Sequence, residues 1–576
     1  MVGYFTFKWM KYRWIYPEHV RATDVNQLIE ALGVSHAIAT LLVRRGYKEP
    51  AVVRKFINPS IDDLHSPFEF PDMDKAVNRI LKAIEGDESI LIYGDYDADG
   101  VTAVALLYRI FKELGAKVIC YIPHRLKEGY GLSDKGVEFA FTHNVRLLIT
   151  VDCGISAINQ VKQLQDNGID VIVTDHHLPP DELPPAYAII NPKLGYPYPY
   201  LSGCGVAWKL VDAIYHKLNR DRRTLYWYLD LVALSTVADV TPLTSENRIF
   251  TKFGLLVMER TRNVGIRALL DITGLKGHRL TPYHLGFVLG PRINAQGRMK
   301  TAGDAVNLLV TQRETTAKEI AERMEVLNRE RMKLQEQIIN EAEAEMSQLG
   351  MDKEKAIVIA KEGWHSGIIG IAASKLVDRY YRPVIFIALE DEIGKGSARS
   401  VPVFNLYEGL HQLREYFVTF GGHKLAAGFV IPRDVVDIFR ESFLKLVDSE
   451  LTWEDLKPEK FIDAIVELHE VDEKLVNDLE KIAPFGVGNE EPLFLVSGVQ
   501  VVGVPMEVGD GHLRFKVRAG NVVREAIAFN YSTLGVEIRT GSMVDLLFMP
   551  TIDEYYGKPE VTLVVEDIKS YGDIRS

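Results

Sequence analysis

SILIYGDYDADG (89–100) runs from an unbroken β-branched and aliphatic stretch straight into three carboxylates, Asp95, Asp97 and Asp99. A short apolar run bounded in this way reads as a strand buried on both faces. TAVALLYRIFKELG (102–115) follows with apolar residues on one helical face, and KVICYIP (117–123) returns as a strand. LLITVD (147–152), VIVTD (171–175) and AYAIINP (186–192) repeat the strand signature. Strands alternating with helices predict βαβ units and therefore a parallel, doubly wound α/β sheet. Ligands of such sheets bind beyond the carboxyl ends of the strands, and right-handed crossovers bring those ends to one rim.

The acidic residues fall on that rim. Asp95, Asp97 and Asp99 end the first strand, Asp152 ends LLITV, Asp175, His176 and His177 follow VIVT, and Asp239 closes the apolar segment LVALSTVADV (231–240). A lone DxD is an ordinary acidic turn, but solubility does not explain several acidic or histidine-bearing ends on one edge. Carboxylates and imidazoles together suit Mn²⁺, and Mg²⁺ accepts the carboxylate part of the same set. Such a set fits two divalent ions roughly 3.5–4 Å apart, bridged by one carboxylate, which activate water against a phosphate ester without a nucleophilic side chain. The chain has no GxSxG elbow and no Walker A lysine motif, which turns the reading away from acyl transfer and nucleotide-driven chemistry.

Beyond this region, residues 314–349 contain no glycine or proline and are rich in good helix formers. They predict a connecting helix of roughly 50 Å. KAIVIA (355–360) through GFVIP (428–432) reads as a second α/β lobe, and alternating strands from LFLVSGVQVVGV (493–504) to EVTLVVEDI (560–568) suggest a small OB-like barrel. The expected division is an N-terminal segment (1–50) packing on the core, a catalytic domain (51–310), the connecting helix (311–350), a substrate-binding α/β domain (351–450) and the barrel (461–576). In the barrel, Tyr555 and Tyr556 with Lys558 nearby, and Arg514, Lys516 and Arg518 alternating along one strand, are candidates for stacking bases and pairing phosphates.

From Tyr93 to Gly428 the chain resembles the DHH phosphoesterase family. YGDYDADG, IPHRLKEGYGL, TVDCGI, VTDHH, TVADV, PRINAQGR, GWHSGIIGIAAS, GSARS and FGGHKLAAGF occur in the family's order. The branch it most resembles digests single-stranded DNA from the 5′ end in recombination and repair, releasing 5′-mononucleotides. The resemblance implies that Asp97, Asp99, Asp152, His176 and Asp239 bind two Mn²⁺ or Mg²⁺ ions, with Asp152 bridging. Asp95 joins this set. Other branches carry a histidine upstream of the first DxD where this chain reads LIYGDYDADG, so which aspartate binds which ion stays open. His177 is implied to touch the scissile phosphate or to orient a ligand. The second lobe is similar to the family's DHHA1 domain, whose GGH element, here Gly421, Gly422 and His423, contacts the nucleic-acid end. Arg125, Arg298, Ser397 and Arg399 are the residues for a terminal 5′-phosphate, since a guanidinium fork matches phosphate geometry. A narrow passage between the lobes would admit one strand and not a duplex. A helicase and a single-strand-binding protein are the expected partners.

Composition agrees with this frame and limits it. The 576 residues suit several domains. A net charge of −12 excludes nucleic-acid binding through a global field, so any such site is a local basic groove. Three cysteines without a CxxC pair exclude a disulfide framework or zinc finger and fit a reducing cytoplasm. No apolar run of about 18 residues suggests a membrane span, and no apolar heptad run marks a dimerisation segment, so a monomer is expected. Two rival readings are a family enzyme acting on pyrophosphate, cyclic dinucleotides or short RNA, and a scaffold that has lost catalysis. The long C-terminal barrel argues against the first. The intact acidic and histidine set argues against the second, because clustered buried like charges are costly unless metal neutralises them.

Overall fold

The computed structural model describes residues 12–509, 511–531, 534–553 and 559–572. They form two compact units, one of residues 59–333 and 484–490, the other of the remaining described residues.

The first unit is built on five parallel strands: β1 (Ser89–Gly94), β2 (Lys117–Tyr121), β3 (Leu147–Val151), β4 (Asp170–Thr174) and β5 (Ala188–Ile190). Their order across the sheet is 2-1-3-4-5, so the chain reverses direction across the sheet between β1 and β3. That is the switch point at which open α/β sheets bind ligands. Gly94 pairs with Val151, Val151 with Thr174 and Thr174 with Ile190. The register therefore aligns the next residues, Asp95, Asp152, Asp175 and Asn191, along one edge. The β-strand cores are buried on both faces, as the continuous apolar runs required.

Four helices of this unit bear on that edge: α1 (Ala98–Glu113), α2 (Gly203–Lys217), α3 (Leu229–Ala238) and α4 (Gly290–Met299). Helix α3 is apolar nearly all round, and most of its residues are buried, which suits a helix enclosed in a core. The continuous part of this compact unit runs from Pro59 to Lys333. The long helix α5 spans Glu314–Gln348, so the boundary between the units falls within it. Deep in the first unit, Lys209 of α2 donates to Glu246 at 2.5 Å and to the His65 carbonyl at 2.7 Å. Neither charged side chain of this pair is exposed.

The second unit holds a mixed sheet of β6 (Ile357–Glu362), β7 (Val384–Glu390), β8 (Ile393–Arg399), β9 (Thr419–His423) and β10 (Ala426–Pro432), in the order 9-10-8-7-6. Only β6 and β7 run parallel. Helices α6 (Ile369–Tyr380) and α7 (Val436–Glu450) complete this α/β lobe. Near the chain end, β11 (Phe494–Val508), β12 (His512–Ala519), β13 (Val522–Ala528), β14 (Met543–Asp553) and β15 (Glu560–Ser570) pair as 11-12-13-15-14, and β14 pairs again with β11. This closes a five-stranded barrel, as the OB-like reading expected.

The N-terminal residues pack on the barrel region. Strand Arg13–Ile15 runs parallel to Glu459–Phe461, the Trp14 indole donates to Asp567 at 2.7 Å, and the Ser35 amide donates to Asp478 at 2.7 Å. The basic strand singled out in the barrel is largely engaged within the barrel itself. Arg514 pairs with Glu525 and Asp553, Lys516 with Glu525, and Arg518 donates to Gln500. Tyr555, Tyr556 and Lys558 lie outside the described residues.

Asp230, in the first turn of α3, is buried and accepts from the Thr261 hydroxyl at 2.5 Å. Burial raises its pKa to about 6. The folded unit therefore binds this proton more tightly than the unfolded chain. The contribution is fully present below about pH 4 and is lost as pH rises through 6, after which the buried charge costs about 3 kcal/mol. Asp230→Asn is expected to melt higher than the parent at pH 8, with the difference vanishing at pH 4, as thermal unfolding at the two pH values will read.

Candidate metal centre

Each carboxylate of the sequence motif is delivered by a different piece of backbone. Asp97 is the N-cap of α1 and its Oδ1 accepts from the amides of Asp99 (2.9 Å) and Gly100 (3.2 Å). Asp99, one turn in, points its carboxylate at the start of α2, where it accepts from the amides of Gly203 (2.6 Å) and Cys204 (2.7 Å) and from the Ser235 hydroxyl (2.6 Å). Helix N-termini carry unpaired amides and partial positive charge, so Asp99 rests in a cradle of donors made mostly of backbone. The approach is close: a Cβ on Gly203 would lie 2.7 Å from the Asp152 Cβ. Asp152 itself sits in the left-handed backbone region, φ 58°, which aspartate tolerates better than bulky residues do. Asp239 caps the C-terminus of α3.

His176 ties these acids together. Its Nε2 is 3.0 Å from Asp152, 3.6 Å from Asp239 and 3.7 Å from Asp99. Although buried, this atom makes no hydrogen bond of acceptable geometry, and Asp95 Oδ1 shares that condition. Three overlapping groups could hold cations: Asp95, Asp97 and Asp152; Asp99, His176 and Asp239; and Asp152, His176 and His177. In each, one donor atom per residue lies within 4.8 Å of the others.

The electrostatics ask for positive charge. Burial, then the neighbouring carboxylates, push Asp152 and Asp239 well above the usual carboxylate range. Asp95 is raised in the same way by burial and Asp97, with Arg125 and His177 opposing, and Asp97 by burial and Asp99. Burial lowers His176, against the pull of Asp99. Unpaired buried oxygens and nitrogen, beside acids that repel one another, are the donor set of a hard or borderline divalent cation. The residues present fit such ions.

Asp175 belongs to a different layer. Burial disfavours its charge, but His177 and several amides outweigh burial and hold it below the usual carboxylate range. It accepts from the amides of Ile155 (2.9 Å), His176 (2.7 Å) and His177 (3.1 Å) and lies 2.8 Å from His177 Nδ1. Its lone pairs are spent on positioning the DHH turn. His177, raised by this contact against burial, also meets the Tyr130 hydroxyl at 2.9 Å. Lys193 reaches the His176 carbonyl, and Asn191 Nδ2 donates to the His177 carbonyl at 3.0 Å.

Two of the arginines expected at a phosphate converge here. Arg125 lies over the Tyr96 ring at 5.0 Å; burial and Asp95 push the Tyr96 hydroxyl up, with Arg125 and Arg298 both near enough to oppose them. The PRINAQGR segment explains the placement. Asn294 accepts from the Ala98 amide at 2.8 Å, and a Cβ on Gly297 would lie 2.5 Å from the Tyr96 carbonyl, so only glycine brings α4 this close. The remaining candidates gather in the other unit. Ser397 pairs with Gly428 and Gly428 with Gly421; Arg399 pairs with Ala426 and Ala426 with His423. Ser397, Arg399, Gly421 and His423 thus share one face across β8, β10 and β9, with Gly422 between the last two. Arg399 donates to the Ser397 hydroxyl at 3.1 Å, and Gly370, at the start of α6, leaves the space beside both. Tyr130, Asn191, Lys193, Gly203, Cys204 and Ser235 were not singled out from the sequence. The SGCG start of α2 (202–205) carried a signal, a serine N-cap beside two glycines.

Comparison with known proteins agrees with this geometry. The DHH family N-terminal domain matches residues 89–236, the DHHA1 domain residues 353–452 and the RecJ OB domain residues 462–567. The single-stranded-DNA-specific exonuclease RecJ of Bacillus subtilis is 36% identical over 549 residues, covering 94% of this chain and 69% of that protein. The chain belongs to the RecJ family. The Escherichia coli RecJ is 34% identical, covering 86% of this chain and 90% of its own length. The crystal structure of RecJ from Thermus thermophilus in complex with Mn²⁺ superposes with a TM-score of 0.84 at 27% identity, covering 97% of this chain and 79% of that one. Its Mg²⁺ complex gives 0.78 at 26% identity, with coverages of 97% and 78%.

If the carboxylates repel as their raised pKa values indicate, Asp152→Asn relieves strain that cations otherwise relieve. The metal-free variant is expected to melt roughly 2–4 °C above the metal-free parent at pH 8, while losing most of the rise that Mn²⁺ gives the parent. Differential scanning calorimetry with and without Mn²⁺ checks both, and a metal-free variant melting below the parent would contradict the repulsion.

Proposed function

We infer that this chain is a metal-dependent, single-stranded-DNA-specific exonuclease that works 5′→3′ and releases 5′-mononucleotides. One observation carries the reading. Six metal-ligand side chains converge at the switch point of a RecJ-family chain whose curated relatives are named as single-stranded-DNA-specific exonucleases. Asp95, Asp97 and Asp152 would hold one ion and Asp99, His176 and Asp239 the other. Mn²⁺ or Mg²⁺, the ions in the Thermus complexes, supplies Lewis acidity that eases deprotonation of water and offsets charge on phosphoryl oxygens.

The protein's own residues do the rest. The backbone cradle of Asp99 holds one ligand rigid, and Asp175 fixes the imidazole of His177, which donates a hydrogen bond to the scissile phosphate. Arg125 and Arg298, beside Tyr96, take a strand phosphate next to the acids. Ser397 and Arg399, with Gly421, Gly422 and His423, offer hydroxyl, guanidinium, imidazole and unobstructed backbone to the terminal 5′-phosphate. Anchoring the 5′ end selects the first linkage and makes cleavage end-dependent. Recombination and repair, a helicase and a single-strand-binding protein as partners, and a cytoplasmic monomer belong to the same reading. Among the described residues no helix is long and apolar enough to cross a membrane.

Digestion of a 5′-phosphorylated single strand labelled at its 3′ end tests this, with Mn²⁺, Mg²⁺ or chelator, beside the blunt duplex. Shortening of the single strand alone, dependent on metal and absent in Asp152→Ala, is expected; equal digestion of the duplex would sink the specificity. His177→Ala should lower kcat by about 10²–10³-fold, the usual loss for a group that stabilises transition-state charge, with metal-induced stabilisation retained.

A further inference from the structure

Helix α4 is preceded without a break by a π-helical turn, His284–Leu289. Such turns are rare, and they concentrate at functional sites. This one anchors itself through Leu285 and Leu289, which are fully buried. On its other side Tyr283 and Phe287, 62% and 69% exposed, stack on each other with ring centres 5.1 Å apart and planes at 23°. Their four-residue spacing puts both rings on one face.

The turn sits against the helix that delivers Asp239. A Cβ on Gly286 would lie 3.4 Å from Val237, and one on Gly290 would lie 3.2 Å from the Ala238 Cβ. Val240, just past Asp239, is 65% exposed. At its far end the same continuous helix caps α1 through Asn294, lies on the Tyr96 carbonyl through Gly297 and presents Arg298. One rigid element therefore spans the metal centre, with a cation at one end and an exposed aromatic pair at the other. The eleven steps from Phe287 to Arg298 cover about 16 Å, the length of about five stacked nucleotides at 3.4 Å each.

We propose that Tyr283 and Phe287 form a base-stacking platform for single-stranded DNA, gripping the strand several nucleotides to the 3′ side of the linkage being cut. The two stacked rings are exposed to solvent, and every base offers a π face to them whatever its sequence. The occupant follows from continuity with the metal centre, since a strand crossing the acids along this helix must pass the pair. The inference rests on the exonuclease reading.

The test is Tyr283→Ala/Phe287→Ala against the parent, on a 5′-phosphorylated dinucleotide and a 20-mer, with Tyr283→Phe/Phe287→Tyr as the conservative control. Stacking is worth about 1–3 kcal/mol per base, so KM for the 20-mer should rise about tenfold. The kcat for the 20-mer and all constants for the dinucleotide should hold within twofold, and the conservative pair should restore KM. Binding is read separately from 20-mers carrying 2-aminopurine at positions two to seven, whose fluorescence should be quenched by the parent and by Asp152→Ala but not by the double alanine variant. Unchanged quenching, or equal loss on both substrates, would overturn the platform and leave the pair a structural support or a protein-docking surface. A parent that quenches without cutting would instead overturn the exonuclease reading alone.

Discussion

Five aspartates share one buried rim, and their mutual repulsion governs what surrounds them. Asp152 and Asp239 face other carboxylates with little water to screen them, a condition that is costly without compensating charge. The fold answers first with backbone. Amides at the starts of α1 and α2 hold Asp97 and Asp99, and amides of the strand-end turns hold Asp175. Side-chain cations are fewer and stand further out, Arg125 toward Asp95 and Lys193 toward Asp239. This economy leaves negative charge uncancelled where divalent ions would sit. A lysine placed among the acids would stabilise the metal-free protein and occupy their place.

The topology makes that arrangement inexpensive in chain length. The 2-1-3-4-5 order puts the ends of β1 and β3 side by side, although about 55 residues separate them, and register alone aligns Asp95 with Asp152 and Asp175. Helices α2 and α3 then approach from outside the sheet, one by its N-terminus and one by its C-terminus. The N-terminal end grips Asp99 with two backbone amides. The C-terminal end delivers Asp239 through a helix whose apolar circumference locks it in the core.

Much of this was legible from period and position. Continuous apolar runs marked the parallel strands because a strand covered on both faces has no polar side, and the acids stood where such strands end. Residues that serve the acids were not legible. Gly203, Cys204 and Ser235 act through an amide, an amide and a hydroxyl brought from over 100 residues away, and no local pattern records such a contact. Asp175 read as one more rim acid, yet its oxygens are consumed by the turn that follows it. Arg514 and Lys516 read as a basic strand face because alternation was visible but their cross-strand partner Glu525 was not. The second lobe's Ser397, Arg399 and His423 became one surface only through the register of β8, β10 and β9.

The same partnering bears on how a chain of net charge −12 would hold a polyanion. With Arg514 and Lys516 of the barrel's basic strand paired to carboxylates and a net negative chain, long-range attraction contributes little, and phosphate affinity falls mainly to local guanidinium groups and to the ions themselves. Contacts that do not depend on charge then carry more of the grip. Aromatic rings fit that need, since they bind bases without drawing the strand's phosphates away from the acids. Under the proposed platform, Tyr283 and Phe287, which precede and begin the helix that also bears Arg298, would hold the strand by stacking where the arginine holds it by charge. The linkage to be cut would then be placed by the length of a helix and not by its sequence.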